Sequence, residues 1–285
     1  ETLPESDALF MCYQFLFAAR DNPKIHDALL SLAKRMKFLQ SGFAGMDAPI
    51  LQDVLKIENV HIANASSVYA IPIAHYVFSQ ILRWNKRIDH HIEYQQSKNW
   101  APIAGDGELT NKTLVILGYG GIGSQVAKLG KAFGMRVTGI RRNPQDDEHA
   151  DEVLGLDRFE ELLPLTDYLV LSLPDSPQTR DIINADILEK LSNSAMIINV
   201  GRGTAINEED LSDALNGEKI AAAALDTTKV EPLDASSSLW TAKNCFISAH
   251  DSAHSLLSLE RAFELFFQNI KNIKNGDQIV NLYSE

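Results

Sequence analysis

Thr113 to Asn143, TLVILGYGGIGSQVAKLGKAFGMRVTGIRRN, is the stretch whose reading decides the fold. It opens on an apolar run, Leu114 to Leu117, of the kind buried on both faces of a parallel sheet. Gly118, Tyr119, Gly120, Gly121, Ile122 and Gly123 then spell GxGxxG. Val126, Ala127, Leu129, Ala132 and Phe133 follow at helical spacing, Gly134 ends that helix, and Met135 to Ile140 reads as the next strand. Gly118 permits a tight turn, Gly120 lets the backbone approach a pyrophosphate, and Gly123 allows a helix to pack closely on a strand. Free N–H groups at the helix start, aided by the helix dipole, bind phosphates. Tyr119, Gly120, Gly121 and Ile122 are therefore the expected phosphate cradle. Glycine-rich turns are common, but strand, glycines, helix and second strand in one unit of about 30 residues form a specific signal.

The residue ending the second strand selects the dinucleotide. An NAD site usually carries Asp or Glu there, accepting hydrogen bonds from the ribose hydroxyls. Here Arg141 stands eighteen residues beyond Gly123, with Arg142 next to it. A carboxylate would repel a 2′-phosphate, whereas a guanidinium holds it through charge-assisted bidentate bonds. NADP(H) is the expected cofactor, with NAD(H) possible. The alternative is that both arginines are solvated at a strand end.

The chain has 285 residues, enough for two domains and a sizeable core. Its 26 Lys and Arg against 38 Asp and Glu give a net charge of −12, which argues against nucleic acid or an anionic membrane as partner. Any anionic substrate must be drawn in by local arginines. The two cysteines, Cys12 and Cys245, have neither metal-ligand nor redox spacing, which suits a reducing cytoplasm. The longest mainly apolar stretch, Ala8 to Ala19, is too short to span a membrane, and no cationic start with a cleavage site is visible. Glu1 is not a natural initiator, so the start reads as processed, trimmed or undescribed.

Around the central unit, the pattern alternates between strand and helix. Ala8 to Tyr13 reads as a strand, Pro23 starts a helix, Lys37 to Gln40 is a second strand, Asp47 and Pro49 mark a helix start, and Val60 to Ala63 is a third strand. These describe a small α/β domain. A long helical pattern runs from about Pro72 to Tyr94, followed by a loop-like stretch up to the glycine-rich unit. After Asn143, the acidic piece Gln145 to Glu152 reads as mobile. Helices at Phe159–Leu163, Ala185–Leu191 and Glu208–Leu215 then alternate with strands at Tyr168–Ser172, Ala195–Val200, Ala221–Asp226 and Phe246–Ala249. This continues a doubly wound sheet, whose ligands sit outside the carboxyl ends of the strands. Leu256 to Asn275 is a last amphipathic helix, and Ile279 to Tyr283 a returning strand or tail.

Three polar residues follow strand ends in the second half. Arg202 follows IINVG, Glu231 lies five residues after Asp226, and His250 follows FISA, nineteen residues after Glu231. Taken singly, each has a plainer reading: Arg202 paired with Glu208 or Glu209, Glu231 solvated in a loop, His250 a loop histidine. Together they place a cation, a carboxylate and an imidazole beside a dinucleotide site. A cation can hold a substrate carboxylate and polarise a carbonyl. An imidazolium can donate a proton as hydride arrives, and a carboxylate orients the imidazole and favours its protonated form. That is equipment for reducing a 2-keto acid.

LGYGGIG, LPDSPQTRDIIN, INVGRGTAINEEDL, ALDTTKVEPL and ISAH occur in that succession, and with them the chain resembles the D-isomer-specific 2-hydroxyacid dehydrogenase family over essentially its whole length. The resemblance implies a Rossmann dinucleotide-binding domain, residues 76–254, inserted in a smaller flavodoxin-like α/β substrate domain formed by 1–75 and 255–285. It implies an active site in the cleft between them and a homodimer formed through the long helix. It implies that Arg202 binds substrate, Glu231 partners the histidine, and His250 is the acid/base. Backbone at Ala44 and Gly45, in SGFAGMD, would take the substrate carboxylate. Leu173, Pro174, Thr179, Val200, Gly201 and Asp226 would bind cofactor, Asp226 at the nicotinamide carboxamide. The chain departs from the family pattern at several positions. His75 stands where Glu is usual, Thr227 to Lys229 replace apolar and acidic residues, and Ala249 replaces Pro. Asp251 to Ser255 replace a small loop with Gly, which makes His254 a competing histidine. A strand–helix–strand is also expected before Ala8, so the substrate domain reads as truncated at its N-terminus. Two rival readings are a non-catalytic dinucleotide sensor or scaffold on the same fold, and another NADP enzyme such as an imine reductase.

Overall fold

The computed structural model describes residues 7–103 and 107–283. The loop-like stretch before the glycine-rich unit includes residues 104–106, which lie outside the described residues, as does anything before Asp7. The chain divides into two compact units, residues 1–70 with 254–285, and residues 71–253.

In the smaller unit, β1 (Ala8–Met11), α1 (Tyr13–Asp21), α2 (Pro23–Ala33), β2 (Phe38–Ser41), α3 (Pro49–Leu55) and β3 (His61–Ala63) follow in order. The strands form a parallel sheet, β1-β2-β3. Ala8–Tyr13 is thus a four-residue strand, and the apolar run continues as a helix. In β2, the fully buried Gln40 amide donates to the Asn64 carbonyl (2.7 Å) and accepts from Asn269 Nδ2 (2.9 Å). Asn269 also exchanges bonds with Val280, so the C-terminal segment is stitched to this sheet. Ile279–Tyr283 returns as an extended tail, with one antiparallel bridge from Leu282 to Ala63.

Helix α4 (Ser66–Asn85) carries the division between units within it, after Ala70. The long helical pattern is two helices: α4 begins six residues before Pro72, and α5 (Ile88–Gln96) follows a break at Arg87, whose φ is +53°.

The larger unit holds seven parallel strands. They are β4 (Thr113–Leu117), β5 (Arg136–Ile140), β6 (Glu152–Leu154), β7 (Tyr168–Leu171), β8 (Met196–Asn199), β9 (Ala222–Leu225) and β10 (Cys245–Ile247). Among them run α6 (Gly121–Ala132), α7 (Phe159–Leu162), α8 (Ala185–Lys190) and α9 (Glu208–Asn216); α10 (Ser258–Asn275) follows in the smaller unit. The order is β10-β9-β8-β7-β4-β5-β6. β4 pairs with both β5 and β7, so successive strands are added in opposite directions from it. That reversal opens a crevice at the carboxyl ends, where doubly wound sheets bind ligands. Leu114 to Leu117 and all of β7, β8 and β9 are buried, as strands covered on both faces must be.

The acidic piece after Asn143, read from its composition as mobile, is tied to the sheet at its end. Asp151 accepts from the Val137 N–H (2.8 Å) and from Lys131, and Glu152 opens strand β6 against β5.

Candidate active site

The glycine-rich turn leaves β4 at the switch point. Gly118 has φ +98°, and a Cβ there would lie 2.8 Å from the Ser172 backbone. A Cβ at Gly123 would lie 3.1 Å from Ile116 Cγ2, so helix and strand meet closely. At Gly120 and Gly121, by contrast, nothing lies within 4 Å of where a Cβ would stand. Gly120 caps α6 with no side-chain hydrogen bond, so the cap does not use the first-turn N–H groups. The cradle fits a pyrophosphate.

Tyr119 turns its side chain inward. Its side chain is 3 % exposed, and its ring fills the space beside Gly139, where a Cβ would come within 2.3 Å. Only its backbone is left to serve a cofactor. Burial first, and then the nearby Asp147 carboxylate, raise the pKa of its hydroxyl. Asp147 accepts from the His149 N–H (2.8 Å) and Ser124 Oγ (3.1 Å). Burial works to raise the Asp147 pKa, and these donors outweigh it, leaving the carboxyl below its usual range. Arg141 continues from β5, its N–H bonded to the Leu154 carbonyl (3.0 Å). Its side chain is half-buried and that of Arg142 exposed, and neither forms an ion pair with a described residue.

Beyond β7, Leu173 and Pro174 lead into a turn closed by Thr179, whose hydroxyl donates to the Pro174 carbonyl (2.7 Å). Beyond β8, Val200 and Gly201 are buried, and a Cβ on Gly201 would stand 2.6 Å from the Leu173 carbonyl oxygen. The two loops therefore touch. Asn199 ties the next turn, accepting from the Gly201 N–H and donating to the Arg202 carbonyl, both at 3.1 Å. Arg202 is half-buried and its Nη1 donates to the Gly201 carbonyl (3.0 Å). Gly203 must be glycine, because a Cβ would fall 1.9 Å from the Thr228 carbonyl carbon. Glu208 is engaged by the Lys229 N–H (2.6 Å).

That packing links the Arg202 turn to the pairing of Glu231 with His250. The Thr228 N–H donates to Glu231 Oε1 (3.2 Å), and Glu231 Oε2 lies 2.8 Å from His250 Nδ1. Both side chains are partly exposed, 45 % for His250 and 39 % for Glu231. With Nδ1 committed, Nε2 is the ring nitrogen left for a substrate. His250 has φ +53°, uncommon outside glycine, and its N–H donates to the Asp226 carbonyl (2.8 Å). His254 is exposed and has no partner among the described residues.

Asp226 is the residue expected at the nicotinamide carboxamide. It is 1 % exposed, and its carboxylate is spent on Ser248, Asp251 and Ser252 of the loop bearing His250. These serines and Asn199 escaped sequence reasoning; the one available signal was a serine two residues to either side of His250. The Thr227 hydroxyl is buried without a hydrogen-bond partner among the described residues.

Ala44 and Gly45 belong to the smaller unit, in the loop leaving the carboxyl end of β2. That loop is pinned by Tyr69 Oη to the Gly42 carbonyl (2.6 Å), Ala65 N–H to the Phe43 carbonyl (2.7 Å) and Gln52 to the Met46 carbonyl (2.8 Å). Among the described residues no helix is long and apolar enough to cross a membrane.

Comparison with known proteins bears directly on this arrangement. Residues 78–252 match the model of the D-isomer specific 2-hydroxyacid dehydrogenase, NAD binding domain. A glyoxylate reductase of Aeropyrum pernix is 30% identical over 264 residues, covering 89% of this chain and 78% of that protein. A D-isomer specific 2-hydroxyacid dehydrogenase family protein from Aeromonas salmonicida superposes with a TM-score of 0.80 at 29% identity, over 98% of this chain and 86% of the other. The NADPH-dependent glyoxylate/hydroxypyruvate reductase of Sinorhizobium meliloti, solved with NADP and sulfate, gives 0.77 at 26% identity, over 90% and 81%. The chain belongs to the D-isomer specific 2-hydroxyacid dehydrogenase family and carries its NAD-binding domain.

Proposed function

We propose that this protein is an NADP(H)-dependent reductase of small 2-keto acids, of the size of glyoxylate and hydroxypyruvate, yielding D-2-hydroxy acids. The observation that carries the reading is the 2.8 Å pairing of His250 with Glu231, joined through Thr228 to the turn bearing Arg202. A protein that only sensed or displayed a dinucleotide would need no such pair. When bound, the cofactor supplies the hydride chemistry. Its pyrophosphate would be held by backbone of Tyr119, Gly120, Gly121 and Ile122, a 2′-phosphate by Arg141 and Arg142, and the remainder by Leu173, Pro174, Thr179, Val200, Gly201 and Asp226. Arg202 anchors the substrate carboxylate and polarises the keto oxygen, with backbone N–H groups of Ala44 and Gly45 as further donors. His250 Nε2 gives its proton to the keto oxygen, and Glu231 fixes the ring and stabilises the charged imidazolium. NADPH as donor favours reduction as the working direction. The enzyme works as a homodimer in the cytoplasm. Relatives named as glyoxylate and hydroxypyruvate reductases support the substrate class.

The test is turnover of purified protein on glyoxylate, hydroxypyruvate, pyruvate and branched 2-keto acids with each cofactor, repeated with His250→Asn. The wild type should reduce the small acids, and the variant should lose ~10²–10⁴-fold in turnover with cofactor binding retained. Normal turnover in the variant, or a large loss in His254→Asn instead, would overturn the assignment.

A further inference from the structure

We propose that Tyr76, Ser248 and Ser252 are positioning residues for this reaction, acting through the buried Asp226 carboxylate to hold the loop that carries His250. The inference rests on the reading of His250 as proton donor. Asp226 stands just beyond β9, and the loop Ser248 to Ser252 stands just beyond β10, its neighbour in the sheet. Asp226 Oδ1 accepts from Ser248 Oγ (2.7 Å), the Asp251 N–H (3.0 Å) and the Ser252 N–H (3.1 Å). Oδ2 accepts from Ser252 Oγ and, at 3.3 Å, again from the Ser252 N–H. The main chain is gripped as well: the Ser248 N–H donates to the Leu225 carbonyl (2.9 Å) and that of His250 to the Asp226 carbonyl (2.8 Å). His250 is thus clamped on both flanks by one carboxylate.

The direction of the chain of bonds follows from the chemistry of the groups. A carboxylate only accepts, so the single proton of Ser248 Oγ is committed to Asp226. The Tyr76 hydroxyl, 2.6 Å from Ser248 Oγ, must then be the donor of that bond. Tyr76 comes from α4, so a helix outside the loop fixes which way Ser248 points. Burial pushes the Tyr76 pKa up to about 12, keeping the donor protonated at neutral pH.

The clamp matters because His250 holds a backbone conformation that a non-glycine residue resists, φ +53°. Loss of the flanking bonds lets the loop relax toward ordinary geometry and carries the imidazole away from the reacting oxygen. A misplacement of about 1 Å costs on the order of 100-fold in rate.

The experiment compares Ser248→Ala, Ser252→Ala, Tyr76→Phe and Ser248→Thr with His250→Asn, on one 2-keto acid with NADPH. Ser248→Ala and Ser252→Ala should lower kcat by about 10–100-fold while the KM for NADPH and the thermal midpoint stay near wild type. Tyr76→Phe should lower kcat less, because Ser248 keeps its bond to Asp226, and Ser248→Thr, which restores the hydroxyl, should recover most of the rate. A fall in cofactor binding and thermal midpoint in step with kcat would mark these residues as structural only and overturn the proposal. Wild-type kcat in both Ser252→Ala and Tyr76→Phe would overturn it even if Ser248→Ala fails to fold. Should His250→Asn itself turn over normally, it is the reading of His250 that fails, a result distinct from either.

Discussion

Arg141 shows how much a single residue can decide and how much of that was legible. Its position at the end of β5 could be read from spacing alone, because a strand, a glycine turn and a helix of fixed length lead to it. The structure adds that neither Arg141 nor Arg142 is spent on a carboxylate among the described residues, and that Asp147 is turned onto Ser124 and the His149 N–H. A 2′-phosphate gripped by one arginine should gain ~1.5–3 kcal/mol from a charged hydrogen bond. At ~1.4 kcal/mol per factor of ten, that is roughly a tenfold to hundredfold preference. Michaelis constants for NADPH and NADH should therefore favour NADPH in the wild type, and Arg141→Asp should abolish the preference. A wild type that prefers NADH would mean the two guanidinium groups serve only solvation. Other residues were less legible. Gly203 reads as part of a motif, but its reason, the Thr228 backbone where a Cβ would go, exists only in three dimensions. Asp226 reads as a ligand-facing carboxylate, and its four donor groups belong to residues more than twenty positions away.

Among the elements, legibility followed the apolar pattern rather than length, for the three-residue β3 and β10 were read as well as the longer strands. β4, α6 and β5 follow from one continuous pattern, whereas β6 begins inside the acidic piece and shows no such pattern. α1 was hidden because Tyr13 and Phe17 are exposed, so an apolar run continuing from β1 gives no helical stripe. α4 begins at Ser66 because the Asn64 side chain accepts from its N–H (3.1 Å), a local bond that outweighs Pro72 as a boundary. The acidic composition before β6 suggested motion, but Asp151 is anchored. Lys131 and then the Val137 N–H hold its carboxyl below the usual range, against a small burial cost. A carboxyl with a depressed folded pKa stabilises above its unfolded pKa, ~3.9 for Asp, and loses that contribution as pH falls through the folded value. Asp151→Asn should then cost less than ~1 kcal/mol at neutral pH, since the pair is half exposed, and faster amide exchange should appear at the start of β6. The difference from wild type should shrink below about pH 4. A difference that persists in acid would show that the charge is not what matters.

Over the whole molecule, charge and apolar surface point to different partners. The net charge of −12 sets a field that opposes both an anionic cofactor and a 2-keto acid, so the proposed binding would depend on the short-range cradle and on Arg141, Arg142 and Arg202. The apolar surface raises the matter of assembly. Ile88 and Ile92, one helical turn apart on α5, are 42 % and 48 % exposed, and Trp100, four residues past the end of that helix, is fully exposed. Exposed large apolar side chains are what a protein interface uses, and a stable interface buries on the order of 1,000 Å² or more in total. In the proposed homodimer this surface packs against a second copy. One chain weighs 31.6 kDa, so light scattering on the eluting protein at micromolar concentration should return twice that mass. Ile92→Glu puts a charge where the apolar contact forms, and should return the mass of one chain with secondary structure unchanged. Trp100, the most exposed of the three tryptophans, supplies an independent readout, because burial against a partner blue-shifts its emission and Ile92→Glu should reverse that shift. A wild type that elutes at 31.6 kDa across the concentration range would remove the dimer and leave the α5 surface without an occupant.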